Sequence, residues 1–340
     1  MFRTLLAAAA AAMTAGASPQ VARADMTTTL PVPDVSLFAS TPSFGEGLVF
    51  DANGTLFVSD AVQSQLLRIT RDGAVSVWSE EVRMPNGHKI LPDGSHVIME
   101  GGIWEDPADQ GALVHLDASG TLIDRYGTDD QGRNFRWPND IALDLPNGGF
   151  YFTDPGRFMS DEPGRIFHGS SDFTITTVSD RLVEFPNGIV LSPDGQTLFV
   201  AESLQNRILA FEVSAPGCLG SPRVFAELPS FPNHWTNGQA EPDGIALDND
   251  GNLFVAHFGA GLVHVVSPDG TMLGSYTSGS GTVTNLAFDP TQPSNLYVYA
   301  ATGLSFDEIE EGGEIIRIGL PGISGLRLVE TDAGDPPATD

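Results

Sequence analysis

Apolar and polar residues alternate along this chain in short runs, and Gly, Asn-Gly or Asp-Gly steps break the runs apart. That period of two, bounded by turn residues, predicts β-strands joined by tight turns. Beyond the first 24 residues no run keeps a helical period for several turns. Six stretches repeat one another: they begin at Gly45, Pro85, Pro138, Pro186, Pro242 and Val283. In each, a polar residue leads an apolar run, a turn follows, and a second apolar run returns. The lead positions are Glu46, Asn86, Asn139, Asn187, Asp243 and Asn285, with separations of 40, 53, 48, 56 and 42 residues. Such spacings match the four-strand blades of a propeller. The expected fold is all-β: a six-bladed β-propeller over 41–325, with four-stranded antiparallel blades around a central channel. The late stretch "GGEIIRIGL" is expected to add outer strands to the last blade or to close the ring with an early segment.

Within the first five repeats the lead residue and the end of the return run are 14 or 15 residues apart. The end positions are Asp60, Glu100, Asp154, Glu202 and His257. An antiparallel pair with a tight turn brings both ends back to one edge. If the first strand of each blade lines the channel, the lead residues face one mouth, with the polar ends in a ring behind them. This explains why "WPNDIALD" puts Asn139 and Asp140 at the head of a buried strand, where no turn is needed. The competing explanation is that Asn-Gly and Asp-Gly steps merely satisfy tight turns. It suits Asn147-Gly148 and Asp194-Gly195 and leaves the lead set unexplained.

Glu46, Asn86, Asn139, Asn187 and Asp243 would then converge as an oxygen-only set. Calcium takes such carboxylate and amide oxygens, with water completing its shell. Zinc favours histidine or cysteine and magnesium a tighter octahedron, although Zn2+, Mn2+ and Mg2+ remain alternatives to Ca2+. An ion in an open mouth keeps positions for water and substrate. Asn285 precedes leucine instead of glycine and is set aside as structural.

The stretches "FGEGLVFD", "WPNDIALD", "GFYFTD", "FPNGIVLSPDGQTLFVAE", "EPDGIALDNDGNLFVAHFGAG" and "VTNLAFDP" together resemble the SMP-30/gluconolactonase/LRE-like family of calcium lactonases, over about Phe44 to Ile318. The resemblance implies metal ligands at Glu46, Asn139, Asn187 and Asp243, with Asn139 also facing substrate. It implies hydrolysis of a lactone, most readily a sugar lactone. The family's substrate-side arginine position is filled by Trp137, with Arg136 one place off, so an aromatic wall is expected there. Asn86-Gly87-His88 is similar to the second-blade motif of bacterial members, which makes Asn86 and His88 substrate-side candidates alongside Asp140. Asp243 is the first candidate general base, Glu100 and Asp140 weaker ones, and His257 could steady the leaving oxygen. His234 and Trp235 could cover the mouth, and Trp104 could reach its rim. Trp78 is expected between blades, and His96, His115, His168 and His264 at the surface or in packing. The same site could act on phosphotriesters or aryl esters, or the propeller could only bind a ligand. A quinone-dependent dehydrogenase would want basic residues on its cofactor, and none stands in the lead column.

Composition narrows the partners. The chain has 340 residues with 44 acids against 16 Lys and Arg, a net charge of -28. Such a field repels nucleic acid and anionic membranes; the resemblance implies a small-molecule lactone as the partner. It does not fix oligomeric state, monomer or dimer. Residues 1–24 read as a secretory leader ending at Ala22-Arg23-Ala24, which predicts periplasmic or secreted placement. Residues 25–40 are expected to be an N-terminal extension and 326–340 an acidic tail. A single cysteine, Cys218, excludes an internal disulfide and is expected to be buried or an ordinary loop thiol.

Overall fold

The structure is a computed structural model that describes residues 30–101, 110–156, 163–180, 183–231, 240–279, 282–301 and 312–328. Trp104, His234 and Trp235 lie outside the described residues, as do residues 1–24. Six antiparallel sheets follow one another along the chain and form the blades of the propeller. Their inner strands are Gly45–Phe50, Pro85–Ile90, Ile141–Asp144, Pro186–Leu191, Glu241–Leu247 and Thr282–Asp289. The second strands, such as His96–Glu100 and Thr197–Glu202, run back to the end where the lead residues stand.

The last blade is closed by a segment that precedes the first blade in sequence. Strand Asp34–Thr41 pairs antiparallel with Gly313–Gly319 and becomes its outermost strand. Residues 34–40 are therefore part of the ring and not an extension before it. Joining an early and a late segment in one sheet makes opening of the ring cost a full strand ladder. The fourth blade departs from four strands. Its long third strand, Arg207–Ala215, pairs with both Cys218–Leu219 and Arg223–Glu227. Cys218 sits exposed on that short edge strand.

The core is a set of layers between blades. Phe199, Ile208 and Phe225 of the fourth blade pack on Ile245, Val255 and Val266 of the fifth. Tyr297 and Tyr299 of the last blade pack on Leu48, Phe50 and Val58 of the first. Every sheet is thus buried on both faces, so its central strands read as nearly continuous apolar runs, while Val77 and Ile123 on outer strands stay exposed. Trp78 lies between the first two blades, its ring 4.8 Å from Phe57 and 4.4 Å from His96.

Candidate active site at the channel mouth

Two kinds of glycine follow asparagine or aspartate in this chain. At the hairpins Gly148 and Gly195 have φ of +78° and +70°, the left-handed conformation that favours glycine. Gly87, Gly188 and Gly244, which follow lead residues, answer instead to the neighbouring blade. A Cβ on Gly87 would stand 2.6 Å from the Asn139 carbonyl oxygen, and one on Gly244 2.9 Å from the Asn285 Cα. The inner strands crowd so tightly around the axis that a lead residue's backbone sits on the glycine of the blade before it. Asn139 and Asn285 are themselves followed by Asp140 and Leu286, so the two blades after them lack such a glycine seat.

Hydrogen bonds tie this ring together from blade to blade. The Gly87 N–H donates to the Asn139 carbonyl at 2.7 Å. Thr153 Oγ1 donates to the Asn187 carbonyl at 2.8 Å, Ser203 Oγ to Pro242 at 2.6 Å, and Thr284 Oγ1 to Gly45 at 3.0 Å. In four blades the inner ladder breaks register just after the lead residue, between Glu46 and Val49, Pro85 and His88, Pro186 and Ile189, and Pro242 and Ile245. A bulge of this kind re-aims the side chains on either side of it.

Three acids meet at the mouth. Glu46, Asp140 and Asp243 are all buried, from three different blades. Burial first, then the charges of Asp243 and Asp140, pushes the Glu46 carboxyl well above its usual range, while a hydrogen bond with Asn285 opposes this. Asp243 is likewise pushed well up by burial, then by Asp140 and Glu241, against a hydrogen bond with Asn187 and the Gly244 N–H. Burial also raises Asp140, opposed by the Lys89 charge and by the N–H groups of Ile141 and Ile189. Its Oδ1 accepts from Ile141 N–H at 2.8 Å and its Oδ2 from Ile189 N–H at 3.3 Å. Asn139 is 5 % exposed, and its Oδ1 is buried with no hydrogen-bond partner. A buried amide oxygen with no donor, beside acids that repel one another, is an arrangement that a cation would satisfy.

The residues present therefore fit a hard divalent ion. Among the described residues no group of three His, Cys, Asp or Glu side chains is placed to hold a metal. An ion here would rest on Asn139 and Asn187 as much as on Glu46 and Asp243, which suits calcium better than zinc. Asn86 is half-buried at the same mouth, its carbonyl against Gly47. Asn285, set aside on sequence grounds, stands in the cluster as a partner of Glu46.

Several expected site residues are committed elsewhere. Glu100 is wholly buried, with Oε1 accepting from Arg83 Nε at 2.9 Å, Oε2 from Arg83 N–H at 3.0 Å, and an ion pair to Arg125. It clamps the chain entering its own blade and is not a base at the mouth. His257 is also wholly buried, with Nδ1 2.7 Å from His264 Nε2 and Nε2 3.0 Å from Asn206 Oδ1. One nitrogen is used inside the blade and the other by Asn206 of the fourth blade, so His257 does not reach a leaving group. Asp60, Asp154 and Glu202 do the same clamping work; Asp154 accepts the N–H groups of Arg136 and Trp137 at 2.9 and 3.0 Å. His88 points between blades: its Nε2 is 2.8 Å from His96 Nδ1 and its ring 6.1 Å from Phe57. That removes it from the substrate side.

Arg136 donates from Nη1 to the Pro163 carbonyl at 3.2 Å. The Trp137 indole fills the space over Gly101, where a Cβ would stand 2.1 Å from Nε1, and meets Phe185 edge-on at 6.1 Å. Sequence reasoning overlooked Thr153, which holds the lead backbones of two blades, and Lys89, whose charge reaches Asp140. Lys89 carried a signal: it is the only lysine in the chain, and it stands in an apolar stripe.

Comparison with known proteins agrees with this architecture. A lactonase drp35 from Staphylococcus haemolyticus is 27 % identical over 231 residues, covering 67 % of this chain and 68 % of its own. A gluconolactonase from Xanthomonas campestris superposes with a TM-score of 0.67 at 24 % identity, over 84 % of this chain and 89 % of its own. A regucalcin from Agrobacterium tumefaciens, described as a calcium-binding protein, gives 0.66 at 22 % identity, over 87 % and 98 %. Residues 44–302 match the SMP-30/Gluconolactonase/LRE-like region, and the chain belongs to that family.

Proposed function

We propose that this protein is a calcium-dependent lactone hydrolase whose substrate is a sugar lactone. The observation that carries the reading is the unpartnered, buried Asn139 Oδ1 beside the three facing acids Glu46, Asp140 and Asp243. Relatives named as lactonases and a fold shared with a gluconolactonase support the reaction class. Glu46, Asn139, Asn187 and Asp243 would hold the ion, which when bound supplies positive charge to offset the negative charge growing on the lactone carbonyl oxygen.

The protein's own groups do the remaining work. Asp243 removes a proton from the attacking water as the new C–O bond forms at the carbonyl carbon. When the ring C–O bond breaks, the same carboxyl returns that proton to the departing ring oxygen. Asn187 orients Asp243 through their hydrogen bond. Asp140, fixed by two backbone N–H groups, holds negative charge beside that proton path. Trp137 offers an aromatic wall against which the apolar face of a sugar ring packs.

The test is removal and return of the ion. Chelated protein is expected to lose hydrolysis of aldonolactones and to regain it with calcium, while organophosphates and aryl esters in the same panel stay poor substrates. Hydrolysis that persists for every lactone after complete chelation overturns the proposal. The leader-like residues 1–24 support export as part of this reading, and the N-terminal sequence of the mature protein checks it.

A further inference from the structure

Below the lead ring, a second level of side chains lines the channel, with Val49, Lys89, Ala142, Val190, Ala246 and Ala287 among them, one from each inner strand. Five are small and apolar, and the sixth is the only lysine among 340 residues. The channel here encloses about 70 Å³. That is room for a few waters beside Lys89 and too little for a sugar. Its far end is lined by Leu326 and Leu328, where the Leu326 N–H donates to the Leu247 carbonyl at 3.0 Å. The Lys89 ammonium forms no ion pair or hydrogen bond with any described side chain, yet its charge acts on Asp140. An ammonium is costly to place among aliphatic side chains unless negative charge is near. In this channel that charge lies on Asp140 of the mouth above.

We infer that Lys89 is a resident cation of the channel, which offsets Asp140 from below and, through Asp140, weakens the attraction of the mouth for added cations, most of all for those of highest charge. The inference deepens the calcium reading and rests on it for its ion-binding consequences. The physical basis is Coulomb repulsion, which grows in proportion to the charge of the incoming ion. A fixed positive charge therefore acts as a filter that favours divalent over trivalent ions. It also offsets Asp140 when no ion is bound, which the apolar neighbours at its level cannot do.

The experiment compares wild type, Lys89→Met and Lys89→Arg as full-length proteins. Calcium binding is measured by calorimetry and terbium binding by luminescence sensitised through Trp137. Thermal midpoints are taken with chelator and with calcium. Lys89→Met is expected to tighten calcium by about tenfold and terbium by about thirtyfold, the ratio that the two charges require. Its chelated midpoint falls, and the gap between chelated and loaded midpoints widens. Lys89→Arg keeps the charge and stays near wild type in every measurement. Equal gains for both ions, or affinities and midpoints unchanged by Lys89→Met, overturn the inference. If wild type binds neither ion, the calcium reading fails by itself. The chelated midpoints then still decide Lys89: a fall in Lys89→Met supports the counter-charge, and no change overturns it.

Discussion

Gly188 lies so close to Asp243 that a Cβ there would stand 2.1 Å from the Asp243 carbonyl oxygen. The glycine after one lead residue is the seat on which the next lead residue rests. Gly188→Ala would push the fourth and fifth blades apart at the mouth, and overpacking of this kind costs about 1–3 kcal/mol. Urea unfolding should show that loss, together with weaker calcium binding. Gly148→Ala, at a hairpin, should cost stability without touching the ion.

Glu46→Gln, Asn187→Ala and Asp243→Ala each remove an oxygen or a charge from the proposed ion. Each is expected to weaken calcium binding and to lower kcat for lactone hydrolysis by about a hundredfold or more, the scale on which electrostatic stabilisation acts. Calorimetry and initial rates on one lactone panel check both. Full turnover in Asp243→Ala would remove that residue from the mechanism.

Glu100→Gln separates clamping from chemistry. The variant leaves Arg83 and Arg125 without their buried carboxylate, which should cost about 1–3 kcal/mol. Because no Glu100 oxygen is turned to the mouth, kcat at saturating lactone should stay within a few-fold of wild type. Denaturant midpoints and steady-state rates, measured on the same preparations, make the distinction.

Acid should weaken the fold through its paired histidines. Burial, then the charges of His96 and Lys89, holds His88 well below the ordinary value. Burial pushes His96 and His264 down from 6.5 to about 4, and burial followed by the His264 charge pushes His257 to about 3. Folded values below the unfolded one mean that the unfolded chain takes up protons first as pH falls. This contribution is therefore intact above pH 6.5 and is lost progressively as pH falls toward 4. Urea midpoints across that range, in saturating calcium so that the mouth acids stay ionised, should decline with acidification. A rise would mean that the histidines are charged in the folded protein.

Calcium removal should have the opposite dependence. Glu46 and Asp243 are raised in the ion-free protein, so their ionisation costs folded stability as pH rises past their usual range. Chelated protein should consequently lose more stability relative to loaded protein at neutral pH than at pH near 5. The difference between the two thermal midpoints, followed against pH, measures it.

What the sequence determined by itself was the periodic part. Strands of period two, six lead residues and a constant distance to the return end pointed to six blades with one polar mouth, because antiparallel pairing brings both ends of each strand pair back to one edge. Glu46, Asn86, Asn139, Asn187 and Asp243 could be read as neighbours from that ruler, and the family resemblance implied which four of them would hold an ion. The tertiary structure decided which side chains stay available. Glu100 and His257 occupy the same column as Asp60 and Asp154, and only their contacts show that the column is consumed in clamping each blade. The bulge after Asn86 decided the rest. In a regular strand the residue two places on would share its face, but the break in register turns His88 between the blades and leaves Lys89 lining the channel. A shift of one residue reverses which side chain lines the channel, and the alternation of polar and apolar letters does not record it.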